Sequence, residues 1–219
     1  MNDYIARRER VGISIGSADP PALVRAIAEA EAAGVAQVWM TQNPVSPDAL
    51  TVFATALAST ERIRLGTSIV PTYPRHPLAL AQQAATVAAL GPGRLRLGVG
   101  PSHRPSIKRV YGLPMEAPLD HLREYVAVLR AALWEGRVEH RGRFFTADAT
   151  LRSAPQVPLL ISALGEGAFR LAGEIADGAI SWNCPPRYLQ DVALPALRAG
   201  AQATGRPAPR LVAHMWVAL

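Results

Sequence analysis

Two hydrophobic rhythms alternate along this chain, one with the short apolar runs of strands and one with the spaced apolar positions of helices. Residues 62–100, RIRLGTSIVPTYPRHPLALAQQAATVAALGPGRLRLGVG, show both. Strand-like runs at 63–70 and 94–99 flank a helix-like run at 77–90. Both strands end in Gly, Ser, Thr and Pro, small and polar residues that suit the active-site face of a parallel barrel.

The same rhythm fills the rest of the sequence. Strands are predicted at 11–16, 36–40, 63–69, 94–99, 157–162, 179–182 and 210–217. Helices are predicted at 20–33, 48–59, 77–90, 119–134, 167–176 and 186–204. Asp19 is placed to cap the first helix, Pro20 and Pro21 suit its first turn, and Gly34 follows as a stop. Residues 101–118 are broken by Pro and Gly and read as a loop. Within 119–134, Leu122, Val126, Leu129 and Leu133 share one face. Residues 137–145, with Gly142 in the middle, read as a small hairpin, an insertion near 137–146.

Strict alternation implies a parallel sheet with right-handed crossovers. Seven units without a topological break favour an α/β fold of the TIM (β/α)8-type barrel over an open sheet. A complete barrel of that kind takes about 250 residues. This sequence has 219 and stops inside an apolar run. The last strand–helix unit is therefore expected to be missing or supplied by a partner chain, and residues 1–219 are read as one domain.

Composition narrows the function. The chain is 49% hydrophobic, enough for one sizeable core, yet no apolar run reaches the roughly 18 residues of a membrane span. Its first residues carry no apolar segment of a secretory signal. Cys184 is the only cysteine, so no internal disulfide forms; it reads as an inert small hydrophobe in a reducing cytoplasm. The net charge is +6, and Lys108 is the only lysine among 23 basic residues. The arginines are scattered, with no basic block and no interleaved aromatics, so nucleic acid is not an expected partner. The positive balance favours anionic ligands.

Three strand ends carry candidate chemistry. GTSIVPT (66–72) offers a backbone approach at Gly66 and hydroxyls at Thr67 and Ser68, or is an ordinary strand-end turn. His76, before Pro77, is either a site group or a surface residue at a helix start. GVGPSHRPSIKR (98–109) supplies His103 together with Arg104, Lys108 and Arg109. Histidine is the side chain whose ordinary pKa lies nearest neutrality, so His103 is the best acid–base candidate, with a structural role as the alternative. The segment lacks the third glycine of a dinucleotide-binding turn. SALGEGAFR (162–170) joins a strand to a helix, and its glycines leave N–H groups free at a helix N-terminus for a phosphate, or simply form a turn. Asp177-Gly178 reads as a turn. There is no HExxH or CxxC, and no spacing that suggests a metal. A barrel with few acids and bases suits an enzyme whose cofactor carries the hard chemistry.

The stretch ERIRLGTSIVPTYPRHPLALAQQAATVAALGPGRLRLGVGPSH resembles the luciferase-like monooxygenase superfamily. VYGLPMEAPLDHLREYVAVLRAALWEGRVEHRGRFF and LAGEIADG are similar to the same superfamily. PTYPRHP and GPSHR look most like its actinobacterial branch, which uses the deazaflavin coenzyme F420. The resemblance implies a barrel, a hydride-type redox reaction and a deazaflavin, or alternatively flavin mononucleotide (FMN), at the C-terminal strand ends. It also implies a non-prolyl cis peptide at Ser68-Ile69. By position, the implied cofactor-binding residues are Thr67, Ser68, Ile69, Pro71, Gly100, Pro101, Ser102 and Ser106. Ala163, Leu164, Gly165, Gly167 and Ala168 fall at the phosphate cup. Arg104, Lys108 and Arg109 are placed to meet the anionic tail of the deazaflavin. Relatives of this kind often dimerise through barrel helices, so a homodimer is expected.

Two departures bear on mechanism. Many relatives carry an acid followed by His after strand two; Gln42-Asn43 stand here. Where sugar-phosphate dehydrogenases of the group use Glu after strand four, His103 stands. Gln42 and Asn43 can hydrogen-bond a ligand but cannot exchange protons near neutral pH. The expected catalytic set is therefore His103 with Gln42 and Asn43, acting on a small organic substrate, and sugar-phosphate dehydrogenation is not expected. The two readings set against it are an FMN-dependent monooxygenase and a non-catalytic cofactor-binding chain.

Overall fold

In the computed structural model, which describes residues 10–217, the predicted rhythm becomes a curled parallel sheet wrapped by helices. The elements run β1 (Ile13–Ile15), α1 (Pro20–Ala32), β2 (Gln37–Met40), α2 (Ala49–Ala56), β3 (Arg64–Thr67), β4 (Val70–Pro71), α3 (Pro77–Leu90) and β5 (Leu95–Gly100). Then follow α4 (Pro118–Arg130), the antiparallel pair β6 (Arg137–Arg141) and β7 (Thr146–Thr150), β8 (Leu159–Ser162) and α5 (Glu166–Ile175). The last are β9 (Gly178–Trp182), the short α6 (Pro186–Tyr188), α7 (Leu194–Ala203) and β10 (Arg210–His214). The sheet order is β1-β2-β3-β5-β8-β9-β10, every pair parallel, with β4 added beside β5.

Period-two alternation sorts the strand residues into two cores. Val38 and Met40, Leu159 and Ile161, and Ala179 point outward into the large cluster shared with the helices. Their neighbours Trp39, Leu160 and Ile180 point the other way and form a small inner cluster with Ile69 and Val212. The barrel is not closed: among the described residues β1 and β10 are unpaired with each other. A gap of about 430 Å³ lies between them, bordered by Ile13 and Ser14 on one side and Leu211–Met215 on the other, with Trp39 and Ser68 beneath.

Several boundaries differ from expectation, each for a local reason. Asp19 stands at the start of α1, but its side chain makes no cap hydrogen bond and lies near Arg25 instead. The third strand is split by a cis peptide at Ser68-Ile69. The 101–118 loop contains a turn of π-helix, Ser106–Val110, and α4 ends in another, Ala131–Glu135. The hairpin is longer than 137–145. Phe144 and Phe145 lie in its turn because their N–H groups bond to Glu124, and the second strand runs on to Thr150. The 186–204 helix is interrupted by a π-helical turn, Leu189–Ala193, just before Pro195, which has no N–H to continue the i→i−4 ladder. The last strand ends at His214 rather than 217, where its carbonyl accepts from Asn183 N–H at 2.8 Å. The first strand covers only Ile13–Ile15 of the expected 11–16.

Asp177 is more than a turn residue. Its carboxylate accepts from Arg130 and Arg206, both at 2.9 Å, and from the Leu159 N–H at 2.8 Å. It ties α4 and the segment before β10 to the start of β8. Among the described residues no helix is long and apolar enough to cross a membrane, and no cluster of three metal-ligating side chains occurs.

Candidate functional site

A cavity of about 450 Å³ opens at the C-terminal ends of the strands. Strand ends β2, β3, β5, β8 and β9 deliver its wall because parallel strands all point their carboxyl ends to one rim. Of the residues singled out in the sequence, Gln42, Asn43, Ser68, Ile69, Pro101, Ser102, His103, Ser106, Ala163, Leu164, Gly165 and Ala168 converge on it.

Four expected cofactor contacts are not part of this wall. Thr67 is fully buried; its hydroxyl donates to Gly98 O at 2.8 Å and accepts from Gly98 N–H at 2.9 Å, so it ties β3 to β5. Pro71 is buried in β4. Gly100 lies against Ser162, whose side chain a β-carbon at Gly100 would strike. Gly167 sits one residue into α5, on its exposed side. His76 caps α3, accepting from Leu78 N–H at 3.2 Å, and packs edge-on against Phe145. Arg104 turns back to the Met115 carbonyl at 3.2 Å, and Lys108 and Arg109 are exposed, so none of the three cations lines the cavity.

The sequence reading missed part of the wall: Met115, Pro118, Leu119 and Leu122, together with Thr41, Ile180 and Trp182. The 115–122 segment is held from behind by a polar and aromatic assembly. Tyr73 donates to Glu116 O at 2.6 Å and stacks on the buried His121 at 3.9 Å, and Thr72 Oγ1 lies 3.4 Å from His121 Nδ1. Burial pushes His121 down to about 4, only partly opposed by Glu124, so the ring is neutral at neutral pH. Nothing local in the sequence marks His121, because Thr72 and Tyr73 come from the segment just after β4 and Phe144 and Phe145 from the hairpin turn.

Electrostatically the wall is plain. Among the described residues it carries no Asp, Glu, Lys or Arg, and His103 is its one ionisable side chain. At its edge stands the N-terminus of α5, with Gly165 as the N-cap before Glu166, where the helix dipole presents its positive end. Gln42 Oε1 is buried without a hydrogen-bond partner among the described residues. These features fit a flat, largely neutral ring with an anionic arm: an apolar slot between Leu122, Ile180 and Trp182, hydroxyls at Ser68, Ser102 and Ser106, and a side-chain-free approach at Gly165.

The sequence matches the model of the luciferase-like monooxygenase family over residues 5–219. It is 40% identical to an F420-dependent glucose-6-phosphate dehydrogenase of Beutenbergia cavernae over 179 residues, 78% of this chain and 53% of that one. A protein of the same name from Microbacterium testaceum is 39% identical over 181 residues, again 78% and 53%. The chain thus spans about half the length of these curated relatives. In structure it superposes on the coenzyme F420-dependent tetrahydromethanopterin reductase of Methanopyrus kandleri with a TM-score of 0.82 and 29% identity, covering 93% of this chain and 64% of that one. An F420-dependent secondary alcohol dehydrogenase with an F420-acetone adduct also gives 0.82 and 29%, covering 92% and 68%.

Proposed function

Since the chain belongs to the luciferase-like monooxygenase family, we propose that it is an F420-dependent oxidoreductase acting on a small, uncharged organic substrate. The observation that carries this reading is the cavity wall, which among the described residues has His103 as its one ionisable side chain and ends on the N-terminus of α5. When bound, the deazaflavin supplies hydride chemistry. Leu164, Gly165 and Ala168 would hold its phosphate, and Ser68, Ile69, Pro101, Ser102 and Ser106 would line its ring.

The chain's own residues do the rest. Met115, Leu119, Leu122 and Trp182 exclude water from the reacting centre. Gln42 and Asn43 orient polar groups without moving protons. His103 holds the one proton that must be delivered or removed as the substrate is reduced or oxidised. A phosphorylated sugar is disfavoured because, among the described residues, the wall has no Lys or Arg to meet a second phosphate. Residues 1–219 act as one domain in this reading, in the cytoplasm and as a homodimer.

The test is equilibrium binding of the purified chain to oxidised deazaflavin and, separately, to FMN, followed by fluorescence. Tight binding of the deazaflavin alone is the expected result. A preference for FMN would move the reading to a monooxygenase, and binding of neither by a folded chain would make it non-catalytic.

A further inference from the structure

Gln42 lies in the cavity wall with its amide turned by a carboxylate. Nε2 donates to Asp48 Oδ2 across 3.1 Å. A carboxylate only accepts, so the amide N–H side must face Asp48 and the oxygen must face away. Asp48 is itself held. Arg75 donates to the same Oδ2 at 2.8 Å, and Oδ1 accepts from the Thr51 N–H and hydroxyl, both at 2.9 Å. Burial alone would raise the Asp48 carboxyl, but the Arg75 and Thr51 hydrogen bonds outweigh it and hold it below the ordinary carboxylate value. The orienting carboxylate is therefore ionised at neutral pH. The result is an oxygen, Gln42 Oε1, that is buried and has no partner among the described residues. A buried acceptor left unsatisfied is costly, whereas one waiting for a ligand donor gains on binding.

We infer that Gln42 is a specificity-determining acceptor, locked by Asp48 and Arg75, for an O–H or N–H donor on the bound ligand. Asp48 and Arg75 are positioning residues that touch no ligand. Two groups have the required chemistry: the hydroxyl of an alcohol-form substrate and a ring N–H of the cofactor. The second rests on the proposed deazaflavin reading; the first stands on the cavity alone.

The experiment has two arms. In one, cyclohexanol and its methyl ether, methoxycyclohexane, are titrated by ligand-observed NMR into the wild-type, Gln42→Met and Asp48→Asn chains. Each chain is used cofactor-free and with reduced deazaflavin, which cannot take a hydride from the alcohol. In the other arm, oxidised deazaflavin is titrated by fluorescence. If the substrate hydroxyl is the donor, the wild type prefers the alcohol about three- to tenfold. Gln42→Met brings that ratio close to one and leaves deazaflavin affinity unchanged. If the cofactor is the donor, Gln42→Met weakens deazaflavin by a similar factor and the alcohol-to-ether ratio stays put. Asp48→Asn keeps a capping side chain for α2 but lets the amide turn over. It reproduces either loss in part, and carries the test if Gln42→Met fails to fold. A variant with wild-type circular dichroism that shifts neither quantity overturns the inference. A wild type that binds no deazaflavin counts against the proposed function, while the alcohol arm on the cofactor-free chain still decides the role of Gln42.

Discussion

Trp39 on β2 occupies the space that a side chain at Gly66 on β3 would need: the two residues are register partners, and a β-carbon at Gly66 would strike Cε3, Cζ3 and Cδ2 of the indole. The indole belongs to the inner cluster with Leu160 and Ile180, and Ile180 also lines the cavity. Gly66, attractive in the sequence as a ligand approach, therefore serves a tryptophan. Gly66→Ala is expected to destabilise the fold by about 1–3 kcal/mol through overpacking, read from urea denaturation. A loss within about 0.5 kcal/mol would mean that the ring moves aside freely.

Acid should weaken the fold through His121. Burial depresses its folded value to about 4, below the ordinary imidazole value of about 6.5. Between those values the unfolded chain binds a proton that the folded chain refuses. This contribution is therefore fully present above pH 6.5 and is lost as pH falls toward 4, by on the order of 3 kcal/mol in total. His214, also lowered by burial, adds to the same slope. His121→Phe keeps an aromatic ring against Tyr73 and should flatten the stability profile between pH 6.5 and 5. Parallel profiles for the two proteins would dismiss the assignment.

The hairpin depends on one carboxylate. Glu124 on α4 accepts from His140 Nε2 at 3.0 Å, from Phe144 N–H at 3.1 Å and from Phe145 N–H at 2.8 Å. Desolvation would raise it, but these bonds outweigh that and lower it. Glu124→Gln replaces an acceptor by a donor opposite backbone N–H groups, so a loss of about 1–3 kcal/mol is expected. Faster amide exchange at residues 140–146 would accompany it; unchanged exchange there would place the turn's stability elsewhere.

Among the described residues, His103 is the one ionisable side chain of the wall. With deazaflavin and an accepted substrate, His103→Ala should lower kcat by about 10²–10⁴ while deazaflavin affinity changes little. Unchanged turnover would remove His103 from the reaction.

By itself the sequence determined the strand–helix alternation, the outward apolar faces and the set of strand-end loops that meet at one rim. These depend on local periodicity and on Gly and Pro placement, which are written residue by residue. The face Leu122, Val126, Leu129 and Leu133 is buried as that periodicity implies. The tertiary structure alone decided what each polar strand-end residue does. Thr67 bonds across to β5, Arg104 folds back onto Met115, and Asp177 collects two arginines, all through partners distant in sequence or set by loop conformation. The cavity side at 115–122 was likewise invisible, because it is placed by Tyr73 and His121 packing together from separate elements. The orientation of Gln42 is the clearest case. Its residue type excludes proton transfer from the sequence alone, but the direction of its amide depends on Arg75 reaching Asp48 from 27 residues away.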